Sequence, residues 1–258
     1  MADPGGGRGL AQLLREAGVR SGMTLLVHAS LRGTGLGARA LRDALVDVLG
    51  PDGTLVVPAF TEENSDTSTA HLGRVRGMTP EQVAAFRAHM PAFDAATTPS
   101  QGMGRLAESV RTAAGAVRSA HPQTSFAAIG RRAAQLLADH PLNCHLGERS
   151  PLGALYRADA RVLMINVDYR VCTAFHLAEY RTKESVRTYR CVVHRPGGGR
   201  IWTEYTDVVL DASDFDVIGA AFSWGVERKG QLGGTGTRLF SIKEAVDHAE
   251  RWMTEKRR

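Results

Sequence analysis

Three short apolar runs constrain the fold of this chain more than any other feature. They are residues 23–28 (MTLLVH), 54–60 (TLVVPAF) and 161–167 (RVLMINV). Short continuous apolar runs bounded by turn residues are typical of strands buried within a sheet. A helical pattern at 40–49 and a GPDG turn at 50–53 connect the first two runs. A strand, a helix and a strand with short connections predict a parallel pair with a right-handed crossover.

Helical and hairpin patterns fill much of the remaining chain. Apolar spacing or helix-start signals predict further helices at 10–17, 104–116, the second half of 126–138, from 150 onward, 172–181, 213–226 and 241–252. Residues 189–194 and 201–205 flank a PGGG turn, which predicts a β-hairpin, and 207–210 predict a short extra strand. The polar segment 61–79 is expected to be a long functional loop.

These patterns predict an α/β fold. A single domain over residues 10–258 would have a central, mostly parallel sheet flanked by helices and a C-terminal β-hairpin region. The glycine-rich residues 1–9 are predicted to form a flexible N-terminus.

Charge and cysteine content narrow the possible functions. The formal net charge is +5, which suits a polyanionic partner such as a phosphorylated cofactor, although no usual nucleic-acid-binding motif is present. The cysteines are too few and too widely spaced for a disulfide framework, and no CxxC pair indicates a structural zinc site. No apolar run is long enough to cross a membrane, and the N-terminus lacks the apolar core of a signal peptide. We therefore expect a cytoplasmic protein without a nucleic-acid or membrane partner.

The segment CTAFHLAEYR at 172–181 carries the leading catalytic candidates. His176 and Glu179 are three residues apart, so on a helix they share a face and can form a hydrogen bond. A carboxylate on one imidazole nitrogen fixes the tautomer and leaves the other nitrogen as a base. Acylation of an amine needs such a base, because a protonated amine is not a nucleophile.

The same segment allows other interpretations. The pair could be a surface His–Glu contact without a role, or HxxE could supply two metal ligands. Cys172 stands four residues before His176, so a thiol and an imidazole could also pair for nucleophilic catalysis.

Two further segments have the chemistry to bind a phosphorylated ligand. Small residues after the first strand, at 27–31 (VHASL) and in the glycine-rich 33–37, expose backbone N–H groups that can hold phosphate or amide oxygens. Arg118 can pair with a phosphate, and Ser125 can donate a hydrogen bond.

An acidic cluster follows the second strand. Glu62, Glu63 and Asp66 lie within a few residues of one another in a chain of net positive charge. Such a patch would attract a polycationic substrate, or it could be an ordinary solvated loop.

Taken in order, five segments resemble the motifs of the aminoglycoside N3-acetyltransferase family: LLVHASL, GTLVVPAFT, RSAHPQTSFAAIG, HLGERSPLGALY and RVLMINVDYRVCTAFHLAEYR. The resemblance implies the α/β fold of that family, which differs from the commoner acetyltransferase fold. It implies acetyl-CoA as the donor, no metal, and the 3-amino group of the 2-deoxystreptamine ring of an aminoglycoside as the acceptor. Antibiotic resistance would be the biological outcome, and the resemblance leaves a monomer or a homodimer open.

The resemblance also assigns residues. His176 matches the catalytic histidine of the family and Glu179 the acidic residue beside it. The family supports the histidine with an acidic residue of the hairpin region, for which Glu204 and Asp207 both qualify, and Asp207 is our candidate.

Cofactor and acceptor residues follow in the same way. The segment that lines the pantetheine arm matches His28, Ala29, Ser30 and Leu31, and the region that closes over the cofactor matches Arg118 and Ser125. The acidic side chains of Glu62, Glu63 and Asp66 would hold the cationic acceptor, and this assignment rests on their charge because the loop is variable in the family.

The predicted reaction is direct transfer in a ternary complex. His176 takes a proton from the acceptor amine, and backbone N–H groups near Ser30 stabilise the oxyanion. A biosynthetic CoA-dependent N-acyltransferase acting on another amine, a zinc hydrolase using His176 and Glu179, and a non-catalytic basic binding protein are the alternatives.

Overall fold

The chain begins as alternating helices and strands. A computed structural model describes residues 9–183, 185–222, 227–232 and 234–257. In this part of the chain the strands are β1 (Thr24–Ala29), β2 (Thr54–Pro58), β3 (Val117–Arg118), β4 (Phe126–Gly130), β5 (Arg161–Ile165), β6 (Val186–His194), β7 (Arg200–Val208), β8 (Arg228–Leu232) and β9 (Thr235–Ser241). The helices are α1 (Leu10–Glu16), α2 (Ala38–Leu49), α3 (Thr69–Arg74), α4 (Pro80–Ala88), α5 (Gly104–Arg111), α6 (Ala133–Leu137), α7 (Pro151–Arg157), α8 (Phe175–Thr182), α9 (Phe215–Phe222) and α10 (Ile242–Lys256).

The central sheet has parallel strands at its centre and antiparallel strands outside. Within the described residues its order is β3-β4-β2-β1-β5-β9-β8. β1 is parallel to both β2 and β5, and β1-α2-β2 is the predicted parallel pair. β4 pairs antiparallel with β2, and β9 pairs antiparallel with β5. The edge strands β3 and β8 pair antiparallel with β4 and β9. The α/β class is confirmed, with parallel pairing confined to β2, β1 and β5.

Both faces of the sheet are buried, which explains the continuous apolar runs. Leu26 and Val56 enter a core shared with α6, α7, α8 and α10. Leu25 and Leu55, one position earlier on each strand, enter a second core shared with α1, α2 and α5. Successive side chains of a strand point to opposite faces, so a strand covered on both sides needs apolar residues at every position.

The predicted hairpin is confirmed as a separate two-stranded sheet. β6 and β7 pair along their whole length, from Val186 opposite Val208 to His194 opposite Arg200. A small core of Met90, Ala92 and Val192 lies against this hairpin.

Several local predictions are wrong. Segment 61–79 contains α3, and α4 follows it directly, each capped by a serine or threonine side chain. No separate strand forms at 207–210, because Asp207 and Val208 belong to β7. The helix at 172–181 begins only at Phe175, after a 3₁₀ turn at Tyr169–Val171.

Two strands were not predicted, and two other predictions are only partly covered by the structure. The unpredicted strands are β8 and β9, although β9 pairs with the central strand β5. The predicted helix at 213–226 is α9 as far as Phe222, and 223–226 lie outside the described residues, as do 1–8 of the predicted N-terminal segment. No helix in the described ranges is both long enough and apolar enough to cross a bilayer.

Candidate active site

A cleft of about 820 Å³ opens at the carboxyl ends of the three parallel strands. Residues 27–32 line it from β1, Pro58 and Phe60 from β2, and residues 102–105 from the start of α5. The segment after β5 contributes Val167 and, on α8, His176. Ligands in α/β sheets bind at this edge, so the cleft is the candidate active site.

His176 and Glu179 form the predicted pair. His176 lies in the first turn of α8 and Glu179 one turn later, so both side chains project from one face of the helix. The Nδ1 atom of His176 is 2.6 Å from Oε2 of Glu179. The Glu179 side chain is 0% exposed, whereas that of His176 is 15% exposed and borders the cleft. The ring of Phe215 packs against the imidazole, with the ring centroids 4.7 Å apart.

This geometry defines the tautomer of the neutral imidazole. A carboxylate only accepts hydrogen bonds, so Nδ1 of His176 carries a hydrogen, and in the neutral ring Nε2 is the nitrogen with the lone pair. Within the described residues Nε2 has no hydrogen-bond partner, and the ring borders open space in the cleft. The histidine can therefore accept a proton from a bound ligand.

The structure contradicts a nucleophilic Cys172. The residue is fully buried in the core beneath α8, and burial raises the pKa of its thiol to about 12. A thiol in that state supplies almost no thiolate at neutral pH. Across the described ranges, no group of three or more His, Cys, Asp or Glu residues is arranged to hold a metal ion.

The predicted pantetheine segment lines the cleft. His28, Ala29, Ser30 and Leu31 all border it at the end of β1. Burial lowers the pKa of His28 to about 4, so its ring is neutral, and among the residues that the structure describes its Nε2 atom has no hydrogen-bond partner.

The predicted oxyanion donors are backbone N–H groups near Ser30, and these groups differ in whether they already have an acceptor. The Ser30 N–H group donates to the Ile165 carbonyl at 3.0 Å, so it is not free. The next amide groups, of Leu31 and Arg32, have no acceptor in the part of the chain that the structure describes.

Arg118 and Ser125 are not brought to the cleft. Arg118 donates through Nε to Ser125 Oγ at 3.0 Å and through Nη2 to the Ala59 carbonyl at 2.7 Å. Its Nη1 atom donates to the carbonyls of Ala95 and Thr98. All the guanidinium nitrogens therefore donate within the fold, and a role of these two residues in cofactor binding stays a prediction.

The acidic loop after β2 is largely neutralised by arginines. Asp66 is buried and lies 2.8 Å from Nε of Arg87 and 3.1 Å from Nε of Arg190. Glu63 pairs with Arg74 at 3.2 Å. The carboxylate of Glu62 has no ion-pair partner within the described ranges. Acceptor binding by these three residues stays a prediction, and Glu62 alone retains an unpaired charge for it.

Asp207 contacts helix α8 but not the imidazole of His176. It is buried at the end of β7, where its Oδ2 atom accepts from Tyr180 Oη and from the His145 amide, each at 2.6 Å. Glu204 is 3.8 Å from Arg190 on the hairpin surface. A catalytic role for Asp207 stays a prediction, and its contact with Tyr180 on α8 is the route by which it could act.

The arginines around the site were not predicted from the sequence. Arg32, Arg105 and Arg170 line the cleft, and no described residue of the lining is a carboxylate. Arg170 pairs with Asp216 at 2.8 Å, whereas Arg32 and Arg105 are exposed and have no carboxylate partner in the described chain. Neither lies in a recognisable motif, and only the net charge of the chain hinted at a cationic cleft.

Comparison with known proteins identifies the family. The family model of aminoglycoside 3-N-acetyltransferases matches residues 26–254. The chain belongs to this family. It is 38% identical over 251 residues to the SPbeta prophage-derived aminoglycoside N(3')-acetyltransferase-like protein YokD of Bacillus subtilis. The alignment covers 93% of this chain and 89% of that protein. The predicted family and the predicted enzyme class, an acyltransferase, are confirmed.

Solved structures of similar proteins agree in fold. The crystal structure of YokD from Bacillus subtilis has a TM-score of 0.88 at 36% identity, covering 96% of this chain and 98% of that one. AAC-IIIb in a binary complex with CoASH has a TM-score of 0.83 at 27% identity, covering 96% and 95%. Sisomicin-bound AAC-VIa has a TM-score of 0.82 at 29% identity, covering 96% and 97%.

Proposed function

We propose that this enzyme transfers the acetyl group of acetyl-CoA to the 3-amino group of the 2-deoxystreptamine ring of an aminoglycoside, with His176 as the general base. The observation that carries the proposal is the pairing of His176 Nδ1 with the buried Glu179 carboxylate, which leaves Nε2 for a ligand in the cleft. This arrangement fixes both the tautomer and the direction of the base.

The charge of the cleft supports acetyl-CoA as the donor. Its lining includes Arg32, Arg105 and Arg170 and no carboxylate, which suits a cofactor that carries several phosphates at one end. The apolar residues of the lining suit the pantetheine arm, and a cleft of about 820 Å³ is of a size typical for small-molecule sites. A similar enzyme, AAC-IIIb, is known in complex with CoASH.

The acceptor assignment rests on the relatives and on charge. Similar AAC-VIa is known with bound sisomicin. Glu62 follows β2 close to Phe60 in the cleft lining, and its unpaired carboxylate could hold a protonated amine of the acceptor.

The reaction would run as a direct displacement. His176 Nε2 takes a proton from the acceptor amine as the nitrogen attacks the thioester carbonyl carbon. The oxyanion would be met by the free amide groups of Leu31 and Arg32 instead of Ser30. Collapse of the intermediate breaks the carbon–sulfur bond and forms the amide, and the proton held on His176 Nε2 passes to the leaving sulfur, so that CoA departs as its thiol. The product carries one positive charge fewer, which weakens its binding to ribosomal RNA, so resistance is the proposed outcome and the cytoplasm the proposed location.

A second candidate is a CoA-dependent N-acyltransferase with a less cationic acceptor. The neutralisation of Glu63 and Asp66 by arginines favours it, because fewer free carboxylates remain for a polycation.

Acetyl transfer to a panel of aminoglycosides and simple amines, followed by mass spectrometry, separates these functions. We expect one acetyl group on the 3-amino position of an aminoglycoside. His176→Ala should lower turnover by about 10²–10⁴ because the base is lost, while His194→Ala, at an exposed position of the hairpin, should act like wild type. Near-normal turnover in His176→Ala would refute the general base, and exclusive acetylation of non-aminoglycoside amines would support the second candidate.

A further inference from the structure

Arg257 contacts the His176–Glu179 pair although it follows the last helix. Its Nη1 atom donates to Glu179 Oε1 at 2.5 Å. Its Nε atom donates to Asp214 Oδ2 at 2.7 Å, and Nη2 donates to Asp214 Oδ1 and to the Asp211 carbonyl. The residue lies beyond 26–254, the span that the family model matches.

The position of this arginine is fixed by α10. The helix packs on α8 through buried residues that include Ala249 and Met253. The Arg257 backbone N–H group donates to the Met253 carbonyl at 2.9 Å, and its side chain is only 20% exposed. The guanidinium is therefore held between the loop before α9 and the carboxylate on α8.

Few charges face the pair. Glu179 accepts from His176, from the Asp211 amide at 3.1 Å and from Arg257, and the Nζ atom of Lys183 lies 4.0 Å away. Of the two cations, Arg257 is the nearer and is the one that forms a hydrogen bond.

The imidazole has other neighbours of its own. Phe215 packs on its ring from α9, and Arg170 and Thr173 share the cleft with it. His145 lies close enough to interact electrostatically with His176, but burial lowers the pKa of His145 to about 3, so it is uncharged near neutral pH.

A buried carboxylate beside an imidazole has two opposed effects on a base. It orients the ring, and it also stabilises the imidazolium, which can no longer accept a proton. A cation on the far side of the carboxylate offsets the second effect and keeps the first. Burial opposes the charge on Arg257, but hydrogen bonds to Asp214 and Glu179 outweigh it and raise the pKa of Arg257 above its usual value, so the residue remains a cation.

We propose that Arg257 is a positioning residue for the transfer reaction. It holds Glu179 against Nδ1 of His176 and, by neutralising that buried carboxylate, keeps the ring in the neutral form that accepts a proton. The catalytic part of this inference rests on the proposed role of His176 as general base.

The test uses variants that separate charge from hydrogen bonding. Arg257→Gln keeps a donor and loses the charge, Arg257→Lys keeps the charge, and Lys256→Ala removes an exposed cation one residue away as the matched control. The first readout is the titration midpoint of His176 by NMR in histidine-labelled protein, assigned with His176→Ala. The second is kcat/KM for the acceptor as a function of pH, with thermal melting as the check on folding.

We expect the His176 midpoint and the acidic limb of kcat/KM to move together to higher pH in Arg257→Gln, by about one pH unit or more. The loss of activity should therefore approach about tenfold at pH values below both midpoints and should shrink as the pH rises above them. Arg257→Lys should stay closer to wild type than Arg257→Gln, and Lys256→Ala should match wild type in both readouts.

An unchanged His176 midpoint in Arg257→Gln would overturn the proposal. A loss of activity of the same size at every pH would also overturn it, because that is the result expected of a merely structural role. If Arg257→Gln fails to fold, Arg257→Ala with guanidinium ion added in solution supplies the same comparison. A midpoint that moves without the acidic limb would instead refute His176 as the base and leave the coupling of Arg257 to His176 standing.

Discussion

Arginines of this protein differ in whether their guanidinium groups already donate within the fold, and this difference follows their burial. Arg118 lies inside the fold, where burial lowers its pKa to about 10 and every guanidinium nitrogen donates to a carbonyl or hydroxyl group. Arg32 and Arg105 stand exposed at the cleft with no carboxylate partner in the described chain. The second kind is better placed to bind a phosphate, because four of the five guanidinium N–H groups of Arg118 already donate within the fold.

Arg32→Ala and Arg105→Ala are expected to raise KM for acetyl-CoA by about fivefold each, since an exposed ion pair contributes up to about 1 kcal/mol. kcat should stay near wild type because the phosphates lie away from the reacting atoms. Initial rates with acetyl-CoA and with S-acetylpantetheine, which lacks the nucleotide end, measure the effect.

The pantetheine thioester is the internal control of that experiment, and Arg39→Ala, an exposed arginine on α2, is the matched variant. Both variants should leave KM for S-acetylpantetheine unchanged. An equal rise in KM for both thioesters would show that these arginines do not contact the phosphates.

Residue pairs close in sequence could be predicted, whereas pairs formed by tertiary folding could not. The contact of His176 with Glu179 follows from the helical spacing alone. Asp66 was predicted to face solvent and substrate, but Arg87 and Arg190 come to it from α4 and β6. The contact of Arg257 with Glu179 could not be predicted, because the two residues are far apart in sequence and only the packing of α10 on α8 brings them together.

At the scale of elements, the hairpin supports the helix that carries His176. Asp207 on β7 accepts from Tyr180 on α8, and the same carboxylate accepts from the His145 amide in the preceding loop. Gly147 lies directly under the Tyr180 ring, where an added Cβ would be 2.4 Å from a ring carbon. The helix, the loop and the hairpin therefore meet closely around one buried carboxylate.

Asp207→Asn should destabilise the protein by about 2–3 kcal/mol, because charge-assisted hydrogen bonds to a buried carboxylate are lost. The position of the acidic limb of kcat/KM should not change, since Asp207 does not touch His176. Urea unfolding and the pH profile measure the two effects. Glu204→Gln, at an exposed position of the same strand, should change stability by less than about 0.5 kcal/mol. A shifted acidic limb at unchanged stability would instead place Asp207 in direct support of the imidazole.

Helices and strands could be predicted from the sequence where their burial is uniform, and they could not be predicted where it is not. The strands β1, β2 and β5 are buried along nearly their whole length, so their sequences are plainly apolar. β8 has the sequence RKGQL at the edge of the sheet, and its exposed positions give no strand pattern. α3 and α4 carry cap residues but bury little apolar surface, so their periodicity is weak.

At the scale of the whole molecule, a buried cluster of histidines joins the hairpin to the main sheet. His121 packs against His140 and His145, with ring centroids 4.7 and 4.4 Å away and the rings tilted by 35° and 51°. The Nε2 atom of His145 is 3.1 Å from Tyr205 Oη on β7, and Nδ1 of His140 is 2.9 Å from Ser119 Oγ. Burial lowers the pKa of His140 to about 4 and that of His145 to about 3, and it holds the pKa of His121 well below its usual value.

These rings make the stability of the fold depend on pH. In the unfolded chain they titrate near pH 6.5, whereas in the folded protein His140 and His145 stay neutral down to about pH 4 and the pKa of His121 is also lowered. Between these values the unfolded state binds more protons, so the free energy of unfolding falls as the pH falls, by up to about 1.4 kcal/mol per pH unit for each ring. Above pH 6.5 the rings are neutral in both states and contribute no pH dependence.

His145→Gln should therefore flatten the dependence of unfolding free energy on pH between about 6 and 5, because one ring that takes up a proton on unfolding is gone. The variant is expected to be less stable at every pH, since the contact with Tyr205 is weakened, so the slope and not the value is decisive. Urea unfolding at several pH values measures that slope. His194→Gln removes an exposed ring of the hairpin and should leave the slope of wild type. If His145→Gln kept the wild-type slope, His145 would have to bind protons equally in the folded and unfolded states, and its contact with Tyr205 would not require a neutral ring.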